Sequence, residues 1–422
     1  MSGKSKTVLK GFKYMACDDF AKYLSDMAAK GWHFKEWGVG LKFEKGEPQQ
    51  VIYAVEVFQK ASENDMRPEP NTQEFAEYCE SAGWKLVDSK QKYCIFKKID
   101  ENAVDLYTPE ERVANAFKGT FSGSALLVFF LYGVNALLQW GRLFESFEST
   151  VFSATFFFNF SIWNVMFFGQ LIAFLQALWM KGKLKRDIRF GREVHIGMRK
   201  DGKFRLDWND IYIALLILLL MYYFVAIDRI ELVVMNAVVV VGTLGFSILL
   251  NKFRPEHDTN VVIQIGFTVV LFVTILASVL IIESGDKTDA KVKKQNLPLQ
   301  ISDYRETEDT VSDVSYHYER NIFGSMETYF IYGKKEIIYY YVYRSPYSKI
   351  LDKVWDEIIG SRDYNEDAVD CTEQWNAIKA LRNVAGAYYV RYDNVILEFA
   401  EDTEAYLTEE QIEIITEKLE LR

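Results

Sequence analysis

The side chains most capable of chemistry are few and scattered. Cys17, Cys79, Cys94 and Cys371 show no CxxC spacing and no metal-ligand pattern. They read as unpaired small hydrophobes, because a free cysteine is usually buried and inert. His33, His195, His257 and His317 form no HExxH pair. No GxxxxGK[ST] phosphate loop occurs, and Gly38-Val39-Gly40 lacks the third glycine of a dinucleotide fingerprint. No serine elbow or kinase signature appears. These residues point to no enzyme, no cofactor and no metal.

A second set of polar residues lies inside long apolar stretches. Asn159, Asn164, Gln170 and Gln176 are the candidate cluster, with Asn135, Gln139, Asn236 and Gln264 elsewhere. Such amides could line a pathway, but more often they hydrogen-bond between helices, which is modestly stabilising in lipid. An ion-coupled transporter usually carries charged groups within its spans, and none lies near the middle of these stretches.

The elements that hold these residues follow from segregation of the apolar side chains. The chain has 422 residues and a formal net charge of -10. That charge argues against a nucleic-acid partner, since phosphate contacts call for a basic face. About five stretches approach the ~20 apolar residues that cross a bilayer as helix. They are Phe121–Gln139, Phe156–Met180, Ile211–Ile227, Leu232–Leu250 and Val261–Ile282. The lipid bilayer is therefore the first expected partner. The expected fold is an all-α membrane bundle of about five transmembrane helices over 118–283. An α+β domain stands at each end, over 1–117 and 284–422.

The segment 181–209 carries about ten Lys or Arg, which marks a cytoplasmic loop. The N-terminus is then cytoplasmic, and with an odd number of spans the C-terminal domain is extracytoplasmic. Within this segment, Glu193 to Trp208 has a hairpin pattern with Asp201-Gly202 as its turn.

The first 117 residues contain a repeat. Phe20-Ala21-Lys22-Tyr23 followed by Gly31-Trp32 recurs as Phe75-Ala76-Glu77-Tyr78 followed by Gly83-Trp84. Each copy predicts a helix ended by glycine and a hairpin whose tryptophan anchors the core. Asp18 or Asp19 is the expected N-cap of the first helix. The second helix is expected over Gln73 to Gly83, about one turn shorter. A duplicated helix–hairpin domain of ferredoxin-like type is the expectation.

The blocks FAKYLSDMAAKGWHFKEWGVGLKFEKGEPQQVIYAVEVF and EFAEYCESAGWKLVDSKQKYCIFKK resemble the bacterial DUF2812 family, whose function is unknown. The resemblance covers about the first quarter of the chain. It implies a membrane-linked role, because members often carry spans after this domain. It also implies a cytosolic partner of the PadR-like regulator type, because members are often encoded beside one. No catalytic residue comes with it.

Beyond a polar linker from about Glu283 to Lys294 lies an acidic domain. Strands are expected on both sides of Gly333-Lys334-Lys335, with a buried-ring alternation through Tyr339 to Tyr343. A helix follows Ser345-Pro346, and another is expected near Glu373 to Asn383. A hairpin should turn at Asp393-Asn394, and Thr408 and Gln411 should form a capping box for a final helix. Asp309 with Asp313, and Glu366 with Asp367 and Asp370, lack EF-hand spacing and read as solvated acid. Together these features suggest a signalling or regulatory membrane protein that couples an extracytoplasmic domain to a cytosolic partner. A transporter or its accessory subunit is the alternative, and a membrane enzyme the third.

Overall fold

The structure is a computed structural model that describes residues 5–197, 215–216, 218–219, 221–222, 230–285, 297–307, 310–361, 368–401 and 405–422. It divides into two compact units. One is Met1–Gly133 with Val165–Ala214 and Glu231–Leu276, and the other is Val134–Asn164 with Leu215–Ile230 and Ala277–Arg422.

In the first unit the repeat becomes two βαββ modules. The first comprises β1 (Ser5–Val8), α1 (Cys17–Ala29), β2 (Trp32–Trp37) and β3 (Leu41–Lys45). The second comprises β4 (Tyr53–Val57), α2 (Pro70–Ser81), β5 (Trp84–Lys90) and β6 (Tyr93–Lys98). Each makes its own antiparallel sheet, in the orders β1-β3-β2 and β4-β6-β5. The registers match position for position. Trp32 faces Lys45 as Trp84 faces Lys98, and Phe34 faces Phe43 as Leu86 faces Phe96. A bulge follows in both, between Phe34 and Glu36 and between Leu86 and Asp88. Two three-stranded sheets replace the single sheet of a ferredoxin-like fold, which corrects that expectation.

Local chemistry explains the modules. Phe20, Leu24, Met27 and Ala28 recur at helical spacing and are all buried. Gly31 and Gly83 end their helices at φ 77° and 88°, the left-handed conformation that glycine adopts without a Cβ penalty. The helix α2 begins at Pro70, not Gln73, because proline is well suited to the first helical position. It is therefore only one residue shorter than α1. Asp18 and Asp19 lie in the first turn of α1, and Ala16 occupies the N-cap without a side-chain bond.

The helix α3 (Pro109–Thr120) starts from a capping box of Thr108 and Glu111. The helix α4 (Gly123–Glu145) follows, then one turn, α5 (Phe147–Thr150), then α6 (Ala154–Arg189). Two further helices run over Ile230–Phe253 and His257–Gly285.

Among the described residues only two helices, Ala125–Glu145 and Ala154–Arg189, are long and apolar enough to cross a membrane. Leu137 on α4 is 71% exposed and Trp179 on α6 is 69% exposed. Apolar exposure on that scale suits lipid better than water. The five-span all-α bundle is corrected to two candidate spans beside β-rich domains. The stretch Ile211–Ile227 lies largely outside the described residues. The segment Val241–Phe253 is a shorter apolar helix. The first turns of His257–Gly285 carry polar side chains bound to the N-terminal domain. Apolar length alone does not distinguish such a docked helix end from a lipid-facing one. The odd-number argument that set the C-terminal domain outside falls with the count.

The segment 181–209 also differs from a simple loop. Its first residues continue α6 to Arg189. No strand forms over Glu193–Gly197, and the rest of the expected hairpin lies outside the described residues.

The C-terminal domain is built on a seven-stranded antiparallel sheet in the order β10-β11-β12-β13-β9-β8-β7. Its strands are β7 (Asp313–Asn321), β8 (Gly324–Tyr332), β9 (Ile337–Arg344), β10 (Val369–Asp370), β11 (Lys379–Arg382), β12 (Tyr388–Arg391) and β13 (Val395–Glu401). Both faces are covered. Tyr340, Val390 and Phe399 pack with Trp375 and the helix Glu409–Lys418. Tyr343, Tyr389 and Ile396 pack with Leu351, Val354 and Ile358 of the helix Ser348–Ser361. The helix expected near Glu373–Asn383 is only Thr372–Trp375. Asn376 turns left-handed at φ 43° and ends it, and the chain then enters β11. Asp309, Glu366 and Asp367 lie outside the described residues.

Candidate functional site

The strongest polar constellation surrounds Arg254, between the helices Ile230–Phe253 and His257–Gly285. Pro255 follows it and cannot continue a helix, and Arg254 itself is left-handed at φ 49°. That turn projects its guanidinium into the N-terminal domain. Nε donates to the Met66 carbonyl at 2.6 Å. Nη2 donates to Asp88 Oδ1 at 2.7 Å and to the Ser89 carbonyl at 2.9 Å. Nη1 lies 3.9 Å from Glu36 Oε2. Glu36 and Asp88 occupy the same position in the two modules, the first paired residue after the bulge. One arginine therefore answers two repeat-related acids.

The surroundings hold this arrangement in place. Asp88 Oδ2 accepts the Trp37 amide at 2.6 Å, which joins β2 to β5. Burial pushes the Asp88 carboxyl up, against the opposing pull of Arg254 and the amides. Lys90 donates to the Gly38 carbonyl at 3.0 Å and also to Asn251. Burial, then the nearby Arg254 charge, push its ammonium down to about 8. On the following helix, His257 Nδ1 lies 2.7 Å from Asp65 Oδ1. The fully buried Asn260 donates to the Asn64 carbonyl at 2.6 Å. Arg67 pairs with Glu256.

A second buried network occupies the same domain. Arg112 on α3 donates through Nε to Glu56 Oε1 at 2.8 Å and through Nη2 to Asp18 Oδ1 at 2.6 Å. Asp18 Oδ2 accepts the Ile196 amide at 2.6 Å, and His195 Nε2 lies 3.0 Å from Asp19 Oδ1. These acids of the first helical turn bind other segments instead of capping their own helix. Burial lifts the Glu56 carboxyl to about 7 despite the adjacent guanidinium. A cavity of about 280 Å³ opens here, lined by Glu56, Arg112, Tyr53, Trp84, Asp105 and Tyr107 among others.

In the C-terminal domain a larger open cleft of about 1170 Å³ is lined by Arg320, Arg344 and Arg422. The left-handed residues Asn376 and Glu420 also border it.

The polar residues expected in the membrane do not gather. Asn159 and Asn164 donate to the carbonyls of Thr155 and Phe160, one turn back on α6. Asn164 also accepts from Trp140 Nε1 at 3.0 Å. Gln170 and Gln176 are partly buried farther along the same helix. At about 100° per residue, Asn164 and Gln176 point away from the side shared by Asn159 and Gln170. The four cysteines are buried free thiols. No group of three or more potential metal ligands occurs among the described residues.

Sequence reasoning passed over Arg254, Asp88, Glu36, Glu56 and Arg112. A signal was present in the two acids that interrupt strands. Glu56 stands in an otherwise apolar run and Asp88 follows Leu86-Val87. A charge at a strand position that faces inward must find a partner.

The fold and these contacts define a protein with a duplicated βαββ module bound to a helical turn and, among the described residues, two helices long and apolar enough to cross a membrane. Residues 17–131, from α1 into α4, match the family model described as "Protein of unknown function (DUF2812)". No curated protein and no solved structure matches the chain.

Proposed function

We propose that the protein is a membrane-associated regulatory protein whose N-terminal domain follows the position of the helical turn at Arg254. The observation that carries this reading is the clamp itself. One guanidinium engages two backbone carbonyls and the two repeat-related acids, Asp88 directly and Glu36 more distantly. Directional contacts of this kind fail together when the turn shifts by an ångström or so. A displacement of either helix would then reach the β2–β5 junction, where Asp88 binds the Trp37 amide. That junction is the element whose state a cytosolic partner would read.

The Lys- and Arg-rich residues from Lys181 onward support a cytoplasmic N-terminal domain. A PadR-like regulator is the partner class that the family association suggests. The transport alternative gains no support from Asn159, which bonds within its own helix, or from Asn164, which bonds within that helix and to Trp140 on α4.

The test compares wild type with Arg254→Ala, both full-length and in lipid nanodiscs, by hydrogen exchange. The Trp37 and Ser89 amides should lose protection by at least about tenfold, the equivalent of 1.4 kcal/mol, while the C-terminal sheet stays unchanged. In cells, the same variant should alter transcription of the adjacent genes. Opened amides with unaltered transcription would refute the regulatory reading and leave only a structural clamp.

A further inference from the structure

Three lysines gather where α3 meets the basic end of α6. Lys118 lies in the last turn of α3, and Lys181 and Lys185 stand one turn apart on α6. Lys181 feels the like charges of Lys185 and Lys118. None of the three forms an ion pair among the described residues. Asp187 is the one acid between Lys181 and Arg189, and Arg192 holds it at 3.4 Å. Cations grouped without a counter-charge repel one another, and a bound anion relieves that repulsion.

An apolar path leads away from the three lysines. Lys181 Nζ lies 3.5 Å from the centre of the Phe117 ring, an ammonium on an aromatic face. Phe117 stacks on Phe121 at 4.4 Å, and Phe121 meets Phe174 of α6 at 4.5 Å. Phe174 lies below Lys181, and Leu178 below Lys185, each about two turns earlier on the same side of α6. Leu178 is 49% exposed and Leu175, one turn further, 55%. The adjacent face, with Ala177, Met180 and Leu184, is buried in the N-terminal core. The lysines therefore stand at the rim of that domain and head a stripe that turns apolar toward the middle of α6.

We propose that the notch between the end of α3 and the basic end of α6 binds an anionic glycerophospholipid, its phosphate on Lys118, Lys181 and Lys185 and its acyl chains along Leu178 and Leu175. The charge selects an anion, and the adjoining exposed leucines select a lipid over free phosphate. Lysine heads on long apolar stems suit a phosphate at a bilayer surface. The bound lipid links the leaflet to α3, whose Arg112 holds Glu56 and Asp18. The inference rests on the reading of α4 and α6 as membrane spans and is independent of the Arg254 relay.

The experiment titrates full-length protein in neutral detergent micelles with phosphatidylglycerol that carries a fluorescent acyl chain. Binding should saturate, and unlabelled phosphatidylglycerol should compete at least about tenfold better than phosphatidylcholine of the same chains. Inorganic phosphate should not compete. The triple variant Lys118→Gln, Lys181→Gln, Lys185→Gln should lose that preference. Lys118→Gln with Lys185→Gln, both at exposed positions, should weaken binding several-fold and decides the matter if the triple variant does not fold. Lys183→Gln with Arg186→Gln removes charge on a side of α6 turned away from Lys181, and should leave the preference in place. So should Lys22→Gln, Lys60→Gln with Lys85→Gln on the N-terminal domain. Equal loss in the Lys183 and Arg186 variant, competition by inorganic phosphate, or no preference for phosphatidylglycerol would overturn the proposal. If membranes still retain the protein after an alkaline wash, such a result strikes the lipid site alone. Release on washing would remove the spans, and the lipid site with them.

Discussion

A single guanidinium holds together parts of the chain separated by well over a hundred residues. Arg254 and Asp88 are both mostly buried, and removing one member of a buried pair leaves the other charge uncompensated, at a cost of about 3 kcal/mol or more. Arg254→Ala should lower the denaturant midpoint of the N-terminal domain accordingly. Arg254→Lys should recover little, because an ammonium cannot reproduce a planar fork that serves Met66, Asp88 and Ser89 at once. Glu56 makes a different prediction. Its carboxyl is raised from 4.5 to about 7 by burial, so the folded state holds its proton more tightly than the unfolded state. The stability from this group is complete below about pH 4.5 and is lost as pH rises through about 7. The span corresponds to something on the order of 3 kcal/mol. Thermal midpoints should therefore fall between pH 5 and pH 8, with Asp88 acting in the same direction. Glu56→Gln should flatten much of that slope, and an unchanged slope would assign it elsewhere.

At the scale of the element, the glycines that end α1 and α2 are the sharpest features. A Cβ on Gly83 would lie 2.6 Å from the Ala103 Cβ, and one on Gly31 would lie 2.7 Å from the Gly46 carbonyl oxygen. Both positions are also left-handed. Gly83→Ala should cost more than the ~1 kcal/mol of backbone strain alone, measured by urea unfolding against a neutral surface variant. These ends were legible in the sequence, because a glycine before a buried aromatic at the close of an amphipathic run has few other uses. The strands around Gly333 and Asp393-Asn394 were legible for the same reason, through turn residues between alternating apolar runs. The bulges at Lys35 and Val87 were not. A bulge reorients one side chain without breaking the local pattern, and only pairing reveals it. The start of α2 at Pro70 and the left-handed stop at Asn376 were missed because a local propensity was weighed without its boundary residue.

At the scale of the molecule, apolar runs identified helices but not their surroundings. Five stretches looked alike in composition, yet two candidate spans remain among the described residues. The helix α6 has 36 residues, about 54 Å at 1.5 Å per residue. It exceeds a hydrocarbon core of about 30 Å, so its basic end from Lys181 to Arg189 extends past the apolar part. Membrane fractions washed at alkaline pH should retain the protein, and its release into the supernatant would show that α4 and α6 do not span. Removing the chain beyond Ile282 should leave that retention intact while changing transcription of the adjacent genes. An unaffected output would separate the C-terminal domain from the regulation proposed above.

The pairing of Glu36 and Asp88 about one arginine also bears on how this protein can be rearranged by exchange of parts. A chimera that takes its first hundred residues from a relative lacking either acid would set the Arg254 guanidinium in a half-answered pocket. One that replaces the helical turn but keeps the modules would leave the buried Asp88 carboxylate without its guanidinium. The N-terminal domain and the turn at Arg254-Pro255 thus form one transplantable cassette, and a functional swap must move both or neither.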